Sequence, residues 1–344
     1  MKTQTGQATL VRYKGKVRLA AMKKRIIILG SVVVAVIVLW STAWLVVAGM
    51  ARQNIEALAA GDGVTAPQIA CDRLNVGGYP FRFDVACDNA RIVSGDLSID
   101  VPAIRASVRV YAPTHMLASA TGPLQLSDSF TGSRNGIAWS SLDASVRLND
   151  WRIARASISG KDVVWTDTLF GDALIAQSPL LEAHLFDIPE QHDAERHLSA
   201  LALYARADNL AWPGLTLTDT NAEVQLELSG LPDDVRNWSD PMLLAAMQRA
   251  GGKLEIVAIR GSDADSVLDA EGQLGLDPQG MVEGQVAITS TGVAERIGPL
   301  LQEPWRTLVL GTPGADGRHV NQINFRAGGV FSGLVPIASL PPLF

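Results

Sequence analysis

From Ile26 to Met50 the chain carries no charged residue, and that run constrains the rest of the molecule more than any other feature. As a helix rising about 1.5 Å per residue it is roughly 37 Å long, enough to cross a hydrocarbon core of about 30 Å. Its β-branched content, Ile26-Ile27-Ile28 and Val32-Val33-Val34, does not argue for a strand. A lone strand in lipid leaves its backbone groups unpaired, whereas a helix satisfies them internally. Trp40 and Trp44 share one helical face and are expected at the far membrane interface. Lys2, Arg12, Lys14, Lys16, Arg18, Lys23, Lys24 and Arg25 precede the run with no acid among them, and Arg52 and Glu56 follow it. The positive-inside rule then predicts a basic cytoplasmic tail (1–25), a transmembrane helix (26–50), and everything beyond it on the outer side.

The competing reading is a cleaved signal peptide, with Gly49-Met50-Ala51 as a small-residue cleavage site. It is disfavoured because the apolar run exceeds the roughly 7–15 residues of a signal core. No lipobox cysteine follows. Met22-Lys23-Lys24-Arg25 would by itself serve as the basic flank of the helix, so residues 1–21 read as a dispensable tail or an over-called start.

Eight of the 29 bases lie before residue 26, so the remainder sets 21 bases against 35 acids, a net charge of −14. A domain that acidic repels phosphate backbones, and no basic cluster offsets it, which argues against nucleic acid as a partner. The two cysteines, Cys71 and Cys87, lie beyond the helix and read as one disulfide in an oxidising compartment. A hairpin turning at Gly77-Gly78-Tyr79-Pro80-Phe81 and centred on Tyr79 would set them directly opposite each other, at a Cα separation a disulfide tolerates. Phe81, Phe83, Val85 and Cys87 alternate cleanly with polar or small neighbours. On the other strand, Ile69 and Cys71 share one parity and Leu74 and Val76 the other, which requires a bulge or bend between them.

Period-two alternation recurs at Ile104–Val110, Leu142–Leu148, Ala222–Leu228 and Ile323–Ala327, each with one apolar and one polar face. Such strands belong to antiparallel sheets covered on one side. The fold class predicted is mainly β (α+β): a transmembrane helix followed by curved antiparallel sheet with a few short helices. A helical linker (51–66), stopped by Gly61-Asp62-Gly63, joins the helix to a β-rich domain (67–344) that the acidic stretch 188–198 divides if there are two lobes. Helices are expected at Asp233–Arg249, interrupted by Pro241, and at Ala294–Gln302, ended by Pro304. Lys161-Asp162-Val163-Val164-Trp165 and Asp208-Asn209-Leu210-Ala211-Trp212 echo one another faintly.

Catalytic motifs are missing: the sequence has no Gly-x-Ser-x-Gly elbow, phosphate loop, His-Glu-x-x-His or dinucleotide fingerprint. His184, Asp187, Glu190, His192, Asp193, Glu195 and His197 are dense in potential ligands but match no zinc spacing. Asp263-Ala264-Asp265 begins like a calcium loop, yet Val267 stands where an oxygen ligand is needed. No metal or cofactor is expected. Two segments are candidate contacts: the hairpin tip Gly78-Tyr79-Pro80-Phe81-Arg82, and the tail Leu340-Pro341-Pro342-Leu343-Phe344, for which packing against the sheet is favoured over docking on a partner.

The cysteine-bracketed Gly77-Gly78-Tyr79-Pro80-Phe81-Arg82 together with Val335-Pro336-Ile337-Ala338-Ser339-Leu340-Pro341-Pro342-Leu343-Phe344 resembles the family known as DUF2125 (domain of unknown function 2125) over nearly the whole chain. That resemblance implies a membrane-anchored bacterial envelope protein and no particular reaction. A looser similarity is to AsmA-like envelope proteins associated with lipid handling. The expectation is a non-enzymatic inner-membrane protein with its sheet in the periplasm, binding lipid or another apolar ligand or acting as a scaffold. The alternatives are an interaction module for another envelope protein, and, less favoured, an envelope hydrolase.

Overall fold

The computed structural model describes residues 5–64, 67–297 and 305–344. Helix α1, Thr5–Leu58, is unbroken, and its Lys24–Leu58 portion is long and apolar enough to cross a membrane. The helix continues past the apolar run beside strand β1 (Gln68–Gly77). There Arg52 Nη2 donates to Leu74 O at 3.0 Å and Gln68 Nε2 donates to Ala59 O at 2.9 Å. A helix laid along the first strand covers an edge that would otherwise offer unpaired backbone groups.

From β1 the chain builds one antiparallel sheet by consecutive hairpins. β2 (Arg82–Ser94) and β3 (Leu97–Arg109) are followed by two interrupted strands, β4 (Ala112–Thr121) with β5 (Leu124–Asp128), and β6 (Arg134–Ala138) with β7 (Ser141–Asn149). β4 and β7 pair in one half of the sheet and β5 and β6 in the other, bridging β3 to β8 (Arg152–Asp167). β9 (Ala173–Asp187), β10 (Leu198–Trp212), β11 (Leu217–Pro232), β12 (Lys253–Ser262), β13 (Val267–Leu276) and β14 (Val282–Thr291) each pair with the next. β15 (Thr312–Pro313) and β14 both pair with β16 (His319–Arg326), and β17 (Gly329–Ser332) and β18 (Val335–Ser339) finish the sheet. The acidic loop at 188–198 joins β9 to its own partner β10, so the sheet runs on through that point.

Regular pairing fails along one transverse line. β1, β2 and β3 skip Asp72, Asn89 and Pro102; Gly122-Pro123 separates β4 from β5; Trp139-Ser140 separates β6 from β7; β8 and β9 skip Asp162 and Pro179; β10 and β11 shift between Ala207 and Leu210. Asn89, Asp162 and Asn209 have φ of 50°, 49° and 47°, a left-handed conformation that Asn and Asp tolerate better than other side chains. Each strand spends a residue or two at this crease, so alternation shifts and apolar side chains stay on one face on both sides of it. Cys87 with Ala90, and Ile104 with Val101, lie three apart yet pack in the same cluster. The faint sequence echo has its cause here: Asp162 and Asn209 occupy the crease in neighbouring parts of the sheet, and the Trp165 and Trp212 rings beyond it meet at 6.1 Å.

The disulfide forms, with Cα atoms 5.3 Å apart, but the expected register is corrected. The ladder sets Gly77 opposite Asp84, so the turn centres beyond Tyr79; Cys71 faces Ala90 and Cys87 faces Leu74. The bond is reached diagonally, where Asp72 and Asn89 drop out of the ladder, and this is the bend that the mixed parity of Ile69, Cys71, Leu74 and Val76 requires.

Helices are few. Pro241 separates a short 3-10 turn, Val235–Ser239, from α2 (Leu243–Arg249), and α2 packs Met247 with Leu201 and Leu231. α3 (Val293–Ile297) and α4 (Trp305–Leu310) lie between β14 and β15, and Asn321 Nδ2 donates to Leu308 O and Val309 O at 2.9 Å each. The later part of the helix expected at 294–302 lies outside the described residues.

Candidate ligand groove

Register allows a single row of side chains to be followed across the sheet. Val85, Ala106, Ala118, Ala144, Ile158, Ala183, Ala205, Val224, Ile259, Ala270 and Ile288 face one another in succession from β2 to β14. With strands about 4.8 Å apart, this apolar band is roughly 48 Å wide. The row on the opposite face reads Arg105, Ser119, Asp143, Ser159, Glu182, Arg206, Glu223, Arg260 and Asp269. Its charges pair across strands, Arg206 with Glu182 at 3.0 Å and Arg260 with Asp269 at 3.4 Å. Exposed pairs of this kind add little stability, but a one-residue slip would set these charges opposite apolar residues, Arg206 against Leu181 or Ala183, and turn the apolar band to water.

Among the described residues no second layer covers this row, although α2 and Trp238 cover the same face at its Leu201–Leu228 end. Among the described residues no side chain bulkier than that of Ser199 is fully shielded from solvent, and Ile158, in the middle of the band, is 45% exposed. The accessible surface is 22008 Å², against about 13,500 Å² for a compact protein of this mass; the projecting α1 and the one-layered sheet both contribute to the excess. Small residues dominate the centre of the band, and where the sheet creases they leave a trough of about 530 Å³. Leu142, Ile158, Leu181, Ala183, Ala205 and Val224 line it on the α1 side of the crease, and Leu124, Ile137 and Trp139 wall it on the far side. Trp139 is locked in place by donating Nε1 to Ala120 O at 2.9 Å. The volume lies within the range of about 300–1,000 Å³ typical of ligand sites.

The hairpin tip sits against α1. Trp40 Nε1 donates to Pro80 O and Trp44 Nε1 to Arg82 O, each at 3.0 Å, and the Ser41 and Tyr79 hydroxyls are 2.8 Å apart. The Trp44 ring stacks on Phe83 at 5.4 Å and meets Tyr79 edge-on at 5.6 Å. Both tryptophans therefore spend their N–H groups on the turn, and Trp44, expected at the lipid interface, is 8% exposed. Gly78, at φ 97°, has Arg82 O 2.8 Å from where a Cβ would stand, so only glycine fits this turn. Phe81 remains 61% exposed. The tail also meets the sheet: Leu340 N donates to Gly328 O at 2.7 Å and Leu343 N to Gly280 O at 2.9 Å. Leu343 helps line a second hollow of about 210 Å³ beside Met247, Leu254 and Leu274, and Pro341, Pro342 and Phe344 remain exposed.

The histidine-rich stretch is dispersed. His184 stacks on Tyr204 at 6.3 Å, while His192 and His197 approach Asp233 at 3.5 and 3.6 Å. Among the described residues no three His, Cys, Asp or Glu side chains converge to hold a metal ion. Asp263 closes a tight turn, accepting from the Asp265 and Ser266 amides at 2.9 and 2.8 Å and from Arg296 Nη2 at 2.8 Å. Burial pushes its carboxyl up, but these hydrogen bonds outweigh that and hold it at about 2. The groove itself was not legible in the sequence as a site; the Asn and Asp residues placed mid-strand were the signal that could have located the crease.

Fold and site together define a class: a helix fit to cross a membrane, carrying an open antiparallel sheet whose apolar face is covered only in part among the described residues. The chain belongs to the family described as an uncharacterized protein conserved in bacteria (DUF2125), which matches residues 44–341. No curated protein and no solved structure matches it.

Proposed function

We propose that this is a single-pass protein of the bacterial inner membrane, with its N-terminus in the cytoplasm and its sheet in the periplasm, that binds lipid without catalysing a reaction. The observation that carries this reading is the uncovered apolar band with its trough at the crease. A band about 48 Å wide with no covering layer presents far more apolar surface than a soluble monomer ordinarily exposes. An acyl chain is the natural occupant, because the near end of the band starts at the helix that enters the bilayer: Phe83, two residues before Val85 and on the same face, stacks on Trp44. The disulfide suits the oxidising side of that membrane, and the basic flank before Ile26 suits the cytoplasmic side.

The test uses the full chain, extracted in detergent and examined by mass spectrometry for retained lipid. Ala183→Trp and Ala205→Trp fill the trough without touching α1. The expected result is retained lipid in the parent and a severalfold loss in both variants, with melting behaviour preserved. Lipid recovered equally from parent and variants would assign it to the helix alone and overturn the reading, as would a parent that carries none.

A further inference from the structure

The polar face of the sheet carries a second surface, independent of the groove. Arg82 on β2 faces Arg109 on β3, and His115 on β4 faces Arg147 on β7, which faces Arg155 on β8. These five side chains stand at the hairpin-tip end of the sheet, in two runs joined where the ladder shifts between β3 and β4 and Arg109 faces Ala112. Like charges directly opposite one another in a β-ladder destabilise it, and little in the fold relieves them. Arg82 pairs with Asp84 at 3.0 Å and Arg155 lies over the Phe186 ring at 5.0 Å. Arg109 and Arg147 are exposed and have no ion pair among the described residues. The next row away from α1 reads Asp84, Ser107, Leu117, Ser145, Ser157 and His184, with one acid in six positions. Further across the sheet the arginine row gives way to acid, at Glu227 facing Glu255.

The height of this row is set by the anchor. Arg82 O accepts from Trp44 Nε1. Counting about 20 residues for a 30 Å hydrocarbon core from Ile26 ends near residue 45, where phosphates begin. Because α1 runs beside β1, a row across the strands runs along the membrane plane, and from β2 to β8 it reaches about 19 Å. Two turns at the same end carry exposed aromatics, Tyr111 at 73% and Trp151 at 51%, side chains suited to the bilayer interface.

We infer that this edge of the sheet lies on the bilayer surface, its arginine row binding the phosphate groups of anionic phospholipids in the leaflet that α1 emerges from. Bidentate arginine–phosphate contacts would neutralise the facing arginines and hold the sheet at a fixed tilt beside its helix.

The test places the full chain in nanodiscs of phosphatidylcholine alone or of phosphatidylcholine mixed with phosphatidylglycerol, and follows hydrogen exchange in the turns at 109–112 and 149–152. Severalfold slower exchange is expected only with phosphatidylglycerol, abolished by high salt and by the double variant Arg109→Gln/Arg147→Gln, and retained by Arg134→Gln at the far end. In detergent the double variant should melt at or above the parent temperature, because it removes opposed like charges; a merely structural role would lower it. Equal exchange in the two disc types, lipid-dependent protection surviving in the double variant, or a lowered melting temperature would overturn the inference.

Discussion

Asp263 shows how a sequence motif and its structural role can part company. Asp263-Ala264-Asp265 looks like the opening of a cation loop, yet the carboxylate is consumed by two amides and by Arg296, whose side chain is 15% exposed against 2% for Asp263. Asp263→Ala would leave that guanidinium half-desolvated without its partner and is expected to cost about 2–3 kcal/mol, read as a lowered midpoint in thermal unfolding. The pH dependence follows from the depressed carboxyl. Its contribution is fully present above the unfolded value of about 3.9 and is lost as pH falls toward about 2. Acid titration of the parent should therefore lose stability across that window, and Asp263→Ala should be flatter there.

At the level of the elements, alternation made the strands readable and hid their breaks. Ile104–Val110, Leu142–Leu148 and Ala222–Leu228 fall in or overlap β3, β7 and β11, because a sheet with one wet face writes its period directly into the sequence. The crease was not read, since Asn89, Asp162 and Asn209 resemble loop residues until their strands are known to continue beyond them. The hairpin register failed for a related reason: a turn's centre depends on which residue adopts the left-handed conformation, and Gly77 and Gly78 offered two choices, of which Gly78 takes it. Asn209→Gly is expected to be tolerated, whereas Asn209→Val should cost about 1–2 kcal/mol through forced left-handed backbone at a β-branched residue. Comparing the two melting temperatures checks this.

For the whole molecule, recurrent alternation and the charge-free run were enough to foresee a β-rich domain tied to an apolar helix. Which strands pair, and that one face is covered only in part, depend on contacts no local pattern encodes. The trough likewise exists only once strands β5 to β11, far apart in the chain, share a fold line. On the proposed orientation, alkaline phosphatase joined after Gly63 should be active and a cytoplasmic reporter at the same point silent, with the protein staying in the membrane pellet through alkaline extraction. The opposite reporter pattern would remove the periplasmic assignment while leaving the geometry of the groove untouched.

Strand order that follows chain order also bears on how such a sheet comes into being. As the polypeptide emerges, helix first, every new strand but the two-residue β15, which pairs with the later β16, meets an already seated neighbour, so the loop closed at most steps is short and its entropic cost small. Growth is therefore vectorial and zipper-like, and the sticky growing edge is never more than one strand deep.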